Sequence, residues 1–420
     1  MRILRVEGGR RLCGQIRVGC AKNAVLPMLA ASLLAGGPVR LSDAPDISDV
    51  EHMLEILRML GCCAAREEGE LRIDPSGLKE EALPDRLAKK LRSSIFLLGP
   101  MLGRLRRAVV TYPGGCDIGL RPIDLHLQGL RALGVRIDER NGQIVCDGRA
   151  MHGGTVHFDY PSVGATENVM MAAVLTPGRT VVHNAAREPE ILDLQRFINA
   201  MGGNVQGAGT HTVVIDGVRR LQGVQYRAMP DRIVAGTLLE ALAITGGEGA
   251  VLGVDAQDLT AVIAKLREMG CRIQESQDRI DLCAPSRLKA FAHLQTSPHP
   301  GFPTDMQAQT MALATVAEGS SVIMENVFEN RFTHVPEFGR MGADILVSGR
   351  MAVVRGVPAL HGARVTAHDL RGGAALVLAG LCARGETEVE GVALIDRGYA
   401  CLEGQLAALG ASIARVDVES

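Results

Sequence analysis

Apolar and polar positions along the chain follow a pattern that recurs six times. In each copy an amphipathic helix ends in Leu or Met, a glycine follows at once, and a strand comes next; the copies are EILRMLGCC, GLRALGVRI, FINAMGGNV, KLREMGCRI, EFGRMGADI and QLAALGASI. Their glycines lie 68 to 73 residues apart, at Gly61, Gly134, Gly202, Gly270, Gly342 and Gly410. This spacing predicts internal repeats in which each glycine caps a helix in a left-handed conformation.

A second pattern lies between these glycines and also recurs six times. It is a helix of small residues, a glycine turn and a β-branched strand, as in KNAVLPMLAASLLAGGPVRL and LRGGAALVLAGLCARGETEVEG. Each repeat is therefore predicted to be helix, strand, helix, strand, strand.

The phase of the repeats predicts where the chain divides. The segments ILRVEGG and GQIRVGC near the N-terminus resemble strands that follow the second helix elsewhere, and the sixth repeat stops after ASIARV without them. We therefore expect residues 1–21 to complete the last repeat, giving one domain of residues 22–229 and one of residues 1–21 plus 230–420. A chain of 420 residues also exceeds what one hydrophobic core usually supports. A continuous six-repeat solenoid is the alternative, although neither end carries a polar capping repeat.

Composition excludes several classes of function. The net charge is -2, and no arginine-rich run with interleaved aromatic residues suggests nucleic-acid or membrane binding. None of the ten cysteines forms a C-x-x-C pair and no H-E-x-x-H motif occurs, so we expect no metal and no cofactor. The longest apolar stretch, residues 24–35, is too short to span a bilayer, and residues 1–11 lack the apolar core of a signal peptide. These features predict a soluble cytoplasmic protein.

Polar residues precede the first helix of every repeat, at 22–23, 90–92, 162–166, 231–232, 304–305 and 369–371. Ser162, Thr304 and Asp231 could simply be N-caps. Cations at the start of a helix instead oppose its macrodipole unless an anion lies between, which applies to Lys22, Arg92, Arg232 and Arg371. We therefore expect an anionic ligand, although no phosphate loop of the ATPase or dinucleotide type is present.

Three further arginines, Arg187, Arg331 and Arg397, lie in turn-like segments beside acidic residues. Each one alone could be a solvated ion pair. Together they strengthen the expectation of an anion site.

The loop PGGCDIGLRP at residues 113–122 carries Cys116 and Arg121. Its glycines and prolines disfavour a helix or an inner strand, so the thiol is expected on an exposed, bendable segment. A nearby cation lowers the pKa of a cysteine thiol, which then exchanges protons near neutral pH. The alternative is a surface loop with an incidental cysteine.

Ten motifs carry a resemblance to a known family, and they are AKNAVLP, LRSSIFLLGP, PGGCDIGLRPIDLH, SVGAT, NAAREPEI, PDRI, PHPGFPTDMQAQ, VFENRFTHVPE, HDLR and IDRGY. With them the chain resembles the UDP-N-acetylglucosamine 1-carboxyvinyltransferases, enolpyruvyl transferases of the EPSP synthase superfamily. The resemblance implies an α/β fold, a two-domain inside-out α/β barrel with three pseudo-symmetric βαβαββ-like repeats per domain and the active site in the cleft between the domains.

The activity implied by this family is transfer of the enolpyruvyl group of phosphoenolpyruvate to the 3'-hydroxyl of UDP-N-acetylglucosamine, with release of phosphate through a tetrahedral intermediate. This is the first committed step of peptidoglycan synthesis, which supports cell-wall growth, cell shape and division. The resemblance also implies alkylation of Cys116 by fosfomycin, and we expect a monomer with small-molecule substrates only.

Residue roles follow from the same resemblance. Cys116 protonates the methylene carbon of phosphoenolpyruvate, Asp305 takes the hydroxyl proton, and Asp369 lies near the same centre. The residues implied for phosphoenolpyruvate are Lys22, Asn23, Arg121, Arg331, Arg371 and Arg397. Those implied for the UDP-sugar are Asn23, Arg92, Arg121, Pro122, Ile123, Asp124, Leu125, Ser162, Val163, Asp305 and Val327.

One position departs from the family pattern, because Tyr160 stands where relatives often carry Lys. Two other functions stay open on the sequence. An enolpyruvyl transferase acting on shikimate 3-phosphate is disfavoured by the extended cysteine loop and by Asn23, and a catalytically silent paralogue is disfavoured by the intact Cys116, Asp305, Arg121 and Arg397.

Overall fold

A computed structural model of the chain describes residues 2–83, 92–111, 123–140 and 142–418, without the side chains of Arg92 and Ser93. These residues form two compact units. The first unit is the described part of residues 20–229, and the second unit is residues 2–19 together with 230–418.

The chain begins with two strands that belong to the second unit, β1 (Arg2–Glu7) and β2 (Cys13–Arg17). The helices of the first unit are α1 (Lys22–Ala31), α2 (Ser48–Met59), α3 (Leu98–Leu105), α4 (Asp124–Ala132), α5 (Val163–Ala173) and α6 (Pro189–Ala200). Its strands are β3 (Val39–Ser42), β4 (Cys63–Glu67), β5 (Glu70–Asp74), β6 (Arg107–Thr111), β7 (Arg136–Arg140), β8 (Gln143–Asp147), β9 (Thr155–His157), β10 (Arg179–His183), β11 (Val205–Gln206), β12 (Thr212–Asp216) and β13 (Gln225–Arg227).

The strands of the first unit form three sheets, in the orders β13-β3-β5-β4, β6-β8-β7 and β11-β12-β10-β9. The last strand, β13, runs parallel to β3 of the first repeat, with Tyr226 opposite Leu41. This pairing joins the third repeat to the first and closes the unit.

The helices of the second unit are α7 (Arg232–Ile244), α8 (Thr260–Glu268), α9 (Gln307–Val316), α10 (Val335–Arg340), α11 (Leu370–Cys382), α12 (Val392–Ile395) and α13 (Leu402–Ala408). Its remaining strands are β14 (Glu248–Leu252), β15 (Arg272–Ser276), β16 (Arg279–Cys283), β17 (His293–Gln295), β18 (Ser320–Met324), β19 (Asp344–Ser348), β20 (Met351–Arg355), β21 (Arg364–Thr366), β22 (Glu386–Glu390) and β23 (Ser412–Asp417). The sheet orders are β15-β16-β14-β2, β17-β18-β20-β19 and β21-β22-β1-β23.

The two N-terminal strands complete two sheets of the second unit. Strand β2 runs parallel to β14, with Ile16 opposite Val251. Strand β1 lies antiparallel between β22 and β23, with Leu4 opposite both Val389 and Arg415.

The core of each unit is built on helices that are buried on all sides. Helices α7, α9 and α11 contact one another, and nearly all their residues are buried. Close approach depends on small residues: at Gly99 of α3, an added Cβ would lie 2.4 Å from the Asn168 carbonyl oxygen of α5. The alternating helices, such as α2 and α6, bury only one face.

The six glycines that end the second helices all have positive φ, from 82° at Gly134 to 101° at Gly61. A side chain would be strained in this left-handed conformation, so glycine is favoured there. The predicted helix caps are confirmed. None of the helices that the structure describes is long and apolar enough to cross a membrane.

Candidate functional site

A carboxylate held by two arginines forms the centre of the candidate site in the second unit. Asp305 lies in a short 3-10 helix, Thr304–Met306, that leads directly into α9. Its Oδ1 accepts a hydrogen bond from Arg331 Nη2 at 3.0 Å, and its Oδ2 accepts one from Arg371 Nη2 at 3.0 Å. Charge-assisted pairs of this kind hold the carboxylate in its ionised form.

Both guanidinium groups are buried, with only 3% of the Arg331 side chain and 4% of the Arg371 side chain exposed. Arg331 stacks over the Phe328 ring at 5.1 Å and Arg371 over the Tyr399 ring at 5.3 Å. Burial by itself lowers the pKa of Arg371, but the Asp305 carboxylate raises it above the ordinary value, so this cation stays charged. Its Nε and Nη1 have no hydrogen-bond partner among the described residues.

Asp369 caps the N-terminus of α11 beside this pair. Its Oδ1 accepts hydrogen bonds from the Arg371 and Gly372 amides at 2.9 and 3.0 Å, and Thr333 Oγ1 donates to its Oδ2 at 3.1 Å. Burial acts to raise the pKa of Asp369, but the Arg331 charge and the Gly372 amide bring it below the ordinary value. Asp369 is therefore an anion at neutral pH.

His334 is a fully buried neutral residue next to these charges. Its ring packs edge-on against Phe338 at 5.3 Å, and neither ring nitrogen has a hydrogen-bond partner among the described residues. Burial lowers its pKa from 6.5 to about 4; Asp369 acts against this change and Arg331 adds to it.

A buried hydrogen-bond network holds two residues of the site, Asp305 and Tyr399, in position. Tyr399 Oη lies 2.9 Å from Thr237 Oγ1 and accepts a hydrogen bond from Gln309 Nε2 at 3.2 Å. Gln309 Nε2 also donates to the Asp305 carbonyl oxygen at 2.9 Å. The network therefore fixes both the backbone of Asp305 and the ring over which Arg371 lies.

Val327 is tied to the same loop through Glu325. Glu325 Oε1 accepts the Val327 amide at 2.9 Å, and its Oε2 accepts a hydrogen bond from Thr304 Oγ1 at 2.9 Å. The buried Glu325 thus connects the segment after β18 to the residue that precedes Asp305.

The first unit carries a buried ion pair at the start of α1. Lys22 Nζ lies 2.7 Å from Asp49 Oδ2, with 10% and 2% of the two side chains exposed. Asn23, the next residue, is exposed. Ser162 caps α5 by accepting the Ala165 amide at 3.3 Å.

The structure brings four predicted site residues together, Asp305, Arg331, Arg371 and Asp369. Val163 begins α5, and buried Ile123 directly precedes the exposed Asp124 and half-buried Leu125 of α4. Arg397 is half-buried after α12. Arg92 begins a 3-10 helix, Arg92–Leu97, but its side chain is not described, and Cys116, Arg121 and Pro122 lie outside the described residues.

The simpler N-cap explanation holds for some polar residues and is wrong for another. Asp231 accepts the Ile233 and Val234 amides, each at 2.9 Å, and so caps α7. The Thr304 hydroxyl instead donates to Glu325, so Thr304 is not a cap.

Sequence reasoning assigned no role to four residues that shape the site, and these are Asp49, Glu325, His334 and Tyr399. His334 and Tyr399 lie within the quoted motifs VFENRFTHVPE and IDRGY, which is the one signal that could have drawn attention to them. Asp49 and Glu325 follow no local pattern, because only the folded chain puts them beside Lys22 and Thr304.

Comparison with known proteins agrees with these motifs. The sequence profile described as EPSP synthase (3-phosphoshikimate 1-carboxyvinyltransferase) matches residues 6–406. UDP-N-acetylglucosamine 1-carboxyvinyltransferase 1 of Symbiobacterium thermophilum is 53% identical, covering 98% of this chain and 94% of the relative. UDP-N-acetylglucosamine 1-carboxyvinyltransferase 2 of Caldanaerobacter subterraneus is 49% identical, covering 98% and 99%.

Solved structures share the fold. The crystal structure of the enolpyruvyl transferase NikO from Streptomyces tendae matches with a TM-score of 0.90 at 25% identity, covering 100% of this chain and 99% of that one. EPSP synthase from Acinetobacter baumannii matches with a TM-score of 0.75 at 19% identity, covering 99% and 100%. The expected two-domain α/β fold is thus confirmed, and the chain belongs to the EPSP synthase family, among its UDP-N-acetylglucosamine 1-carboxyvinyltransferases.

Proposed function

We propose that this chain transfers the enolpyruvyl group of phosphoenolpyruvate to the 3'-hydroxyl of UDP-N-acetylglucosamine and releases phosphate. Relatives at about half identity over nearly the whole chain carry the name of this activity. The observation that carries the proposal is Asp305 held between the buried guanidinium groups of Arg331 and Arg371. This arrangement combines a carboxylate with cations, as acid-base chemistry on an anionic substrate requires.

The cations are needed to offset the repulsion between the two anionic substrates. Both substrates are polyanions, and two like charges about 4 Å apart repel by about 4 kcal/mol at an effective dielectric constant near 20. Arg331 and Arg371 are proposed to hold the carboxylate of phosphoenolpyruvate, and Lys22, Arg121 and Arg397 its phosphate. Asn23 is assigned by resemblance to both substrates.

Asp305 is proposed as the base. While both guanidinium groups pair with Asp305, each of its carboxylate oxygens accepts a hydrogen bond. A substrate carboxylate that shares these two cations would reduce their hold on Asp305. The base would then become effective only when phosphoenolpyruvate is bound, which limits unproductive reactions.

The proposed addition step moves two protons. The 3'-oxygen of the sugar bonds to C2 of phosphoenolpyruvate, its proton passes to Asp305, and the Cys116 thiol gives a proton to the methylene carbon. In the elimination step the bond between C2 and the phosphate oxygen breaks with its electron pair going to phosphate, the new methyl group returns a proton to the Cys116 thiolate, and the double bond forms again. The proton held by Asp305 passes to the departing phosphate. Asp369 accepts the backbone amide of Arg371 at the N-terminus of α11, and it is proposed to fix the backbone from which the Arg371 side chain extends.

The remaining UDP-sugar contacts are assigned by resemblance. They are Arg92, Arg121, Pro122, Ile123, Asp124, Leu125, Ser162, Val163, Asp305 and Val327. Tyr160, which stands where relatives often carry Lys, is 43% exposed, and no uridine contact is assigned to it.

Phosphate release from phosphoenolpyruvate, with and without UDP-N-acetylglucosamine, tests the proposal. Release should depend on the UDP-sugar, and Asp305→Asn should lower kcat by about 100-fold or more. Asp281→Asn is the matched control, since Asp281 also pairs with an arginine, Arg279 at 2.6 Å, but on the surface. Full activity of the Asp305 variant would exclude it as the base.

Shikimate 3-phosphate is the rival acceptor, because the matching family profile carries the name of the enzyme that uses it. A competition assay with both acceptors separates the two activities. Turnover of shikimate 3-phosphate alone would overturn the proposal, and no turnover of either acceptor by a folded protein would indicate a silent paralogue.

A further inference from the structure

Exposed apolar side chains concentrate in one sheet of the second unit. Six large hydrophobic residues are exposed among those the structure describes, and four of them lie in the sheet β17-β18-β20-β19. They are Leu346 (61% exposed), Val347 (39%), Met324 (38%) and Met351 (38%). Contiguous apolar surface of this kind marks interaction sites, whereas scattered single residues do not.

Three of these residues share one face of the sheet. Met324 lies opposite Met351, and Leu346 lies opposite Val353, which is two residues from Met351 and therefore on the same side. The half-buried Val322 and Val353 complete the apolar face. We call Val322, Met324, Leu346, Met351 and Val353 the outer patch.

Strand β19 is also an edge of its sheet, because β20 is its sole partner there among the described strands. Alternate residues of an edge strand present unpaired N–H and C=O groups to the outside. Proteins usually protect such edges with charged residues or proline inside the strand. In β19 the three central residues, Ile345, Leu346 and Val347, are all apolar.

The repeats provide an internal comparison for this edge. The equivalent strands of the other repeats are CAARE, RIDER, VQ, RIQES and SIARVD. Those longer than two residues carry a charge at an interior position, whereas the one charged residue of β19, Asp344, is its first residue. Strand β15 is the best match, because RIQES and DILVS have the same succession of exposed and half-buried positions. Where β15 has Gln274 and Glu275, β19 has Leu346 and Val347. The same backbone position is thus protected in one repeat and apolar in the other.

We propose that β19 is a self-association edge that pairs antiparallel with β19 of a second copy of this chain across a twofold axis. With Leu346 opposite its own counterpart, Ile345 lies opposite Val347 of the second copy and Asp344 lies opposite Ser348. Apolar side chains therefore face apolar side chains on both sides of the paired strands. The Asp344 carboxylate faces the Ser348 hydroxyl of the second copy and not the Asp344 of that copy. Such self-complementarity is what a twofold interface requires.

The short length of β19 limits the area of the interface and therefore its strength. Five residues span about 17 Å at about 3.4 Å per residue, so the paired strands and the outer patch make a small interface. Interfaces at the low end of the size range are typically transient. The dimer should therefore be weak and concentration-dependent, in contrast to the monomer expected from the sequence, and it is independent of the proposed enzymatic activity.

Sedimentation velocity of the full chain over a wide concentration range tests the proposal. The wild type should shift from the monomer toward the dimer as concentration rises. The double variant Leu346→Gln with Val347→Glu, which transplants the residues of β15 onto β19, should remain monomeric. Met59→Gln is the matched control, since it removes a residue that is 52% exposed in the first unit, and it should dimerise like the wild type.

Two further measurements locate the contact and exclude misfolding. Amide hydrogen exchange within residues 344–348 should slow with concentration in the wild type and not in the double variant. Phosphate release should be the same in both proteins at dilutions where each is monomeric. A wild type that stays monomeric throughout, or a double variant that dimerises equally, would overturn the proposal.

Discussion

His334 allows a quantitative prediction about acid stability. It is 2% exposed, lies beside the cation Arg331, and has no hydrogen-bond partner for either ring nitrogen among the described residues. A charged imidazole would therefore be unfavourable in the folded chain. The unfolded chain carries no such penalty.

The direction of the pH effect on stability follows from how many protons each state binds. Between pH 6.5 and about 4 the unfolded state binds a proton on His334 that the folded state does not, so acid favours unfolding. The contribution of neutral His334 is fully present above pH 6.5 and is lost as the pH falls through about 4. The loss relative to neutral pH is about 2 kcal/mol at pH 5 and about 3 kcal/mol at pH 4.

The assay is urea unfolding followed by circular dichroism at pH 7.5, 6 and 5, comparing the wild type with His334→Phe. The phenylalanine ring keeps the packing against Phe338 and adds at most a constant packing cost. The free energy of unfolding of the variant should thus fall by about 2 kcal/mol less than that of the wild type between pH 7.5 and 5. His361→Phe, at an exposed histidine of the same unit, should keep the wild-type dependence. Equal pH dependence in the wild type and the His334 variant would refute the reasoning.

Three further predictions concern a helix cap, an arginine and an ion pair. Gly342→Ala should lower the free energy of unfolding by about 1 kcal/mol, because φ is 89° at this position. Gly339→Ala is the control and should not destabilise the chain, since Gly339 lies inside α10 with open space around it. Calorimetry measures both changes. Arg371→Lys should lower kcat/KM for phosphoenolpyruvate by at least about tenfold, because a lysine cannot both pair with Asp305 and stack flat on Tyr399; unchanged kcat/KM would contradict the assigned role. Asp49→Asn should destabilise the chain by about 2 kcal/mol, since it removes the charge 2.7 Å from Lys22, and an unchanged urea midpoint would argue against a stabilising pair.

Features encoded locally were predictable from the sequence. A helix cap depends on a few consecutive residues, so the glycines at Gly61 and its five equivalents marked the repeats, and the left-handed φ angles confirm the caps. The phase of those repeats also led to the expectation that residues 1–21 complete the last repeat. In the structure β1 pairs with β22 and β23.

Other features depend on residues far apart in the chain, and only the tertiary structure decided them. Arg331 and Arg371 are 26 and 66 residues from Asp305, and no local pattern indicates that both guanidinium groups point at one carboxylate. Among the polar residues before the helices, the structure separated Asp231, a cap, from Thr304, which binds Glu325. The sequence by itself determined the repeats and the family, because helix caps and motifs are local. Burial and neighbouring charges set the pKa of His334, and the pairing of strands leaves the edge of β19 exposed. Both arise only when residues far apart in the chain pack together.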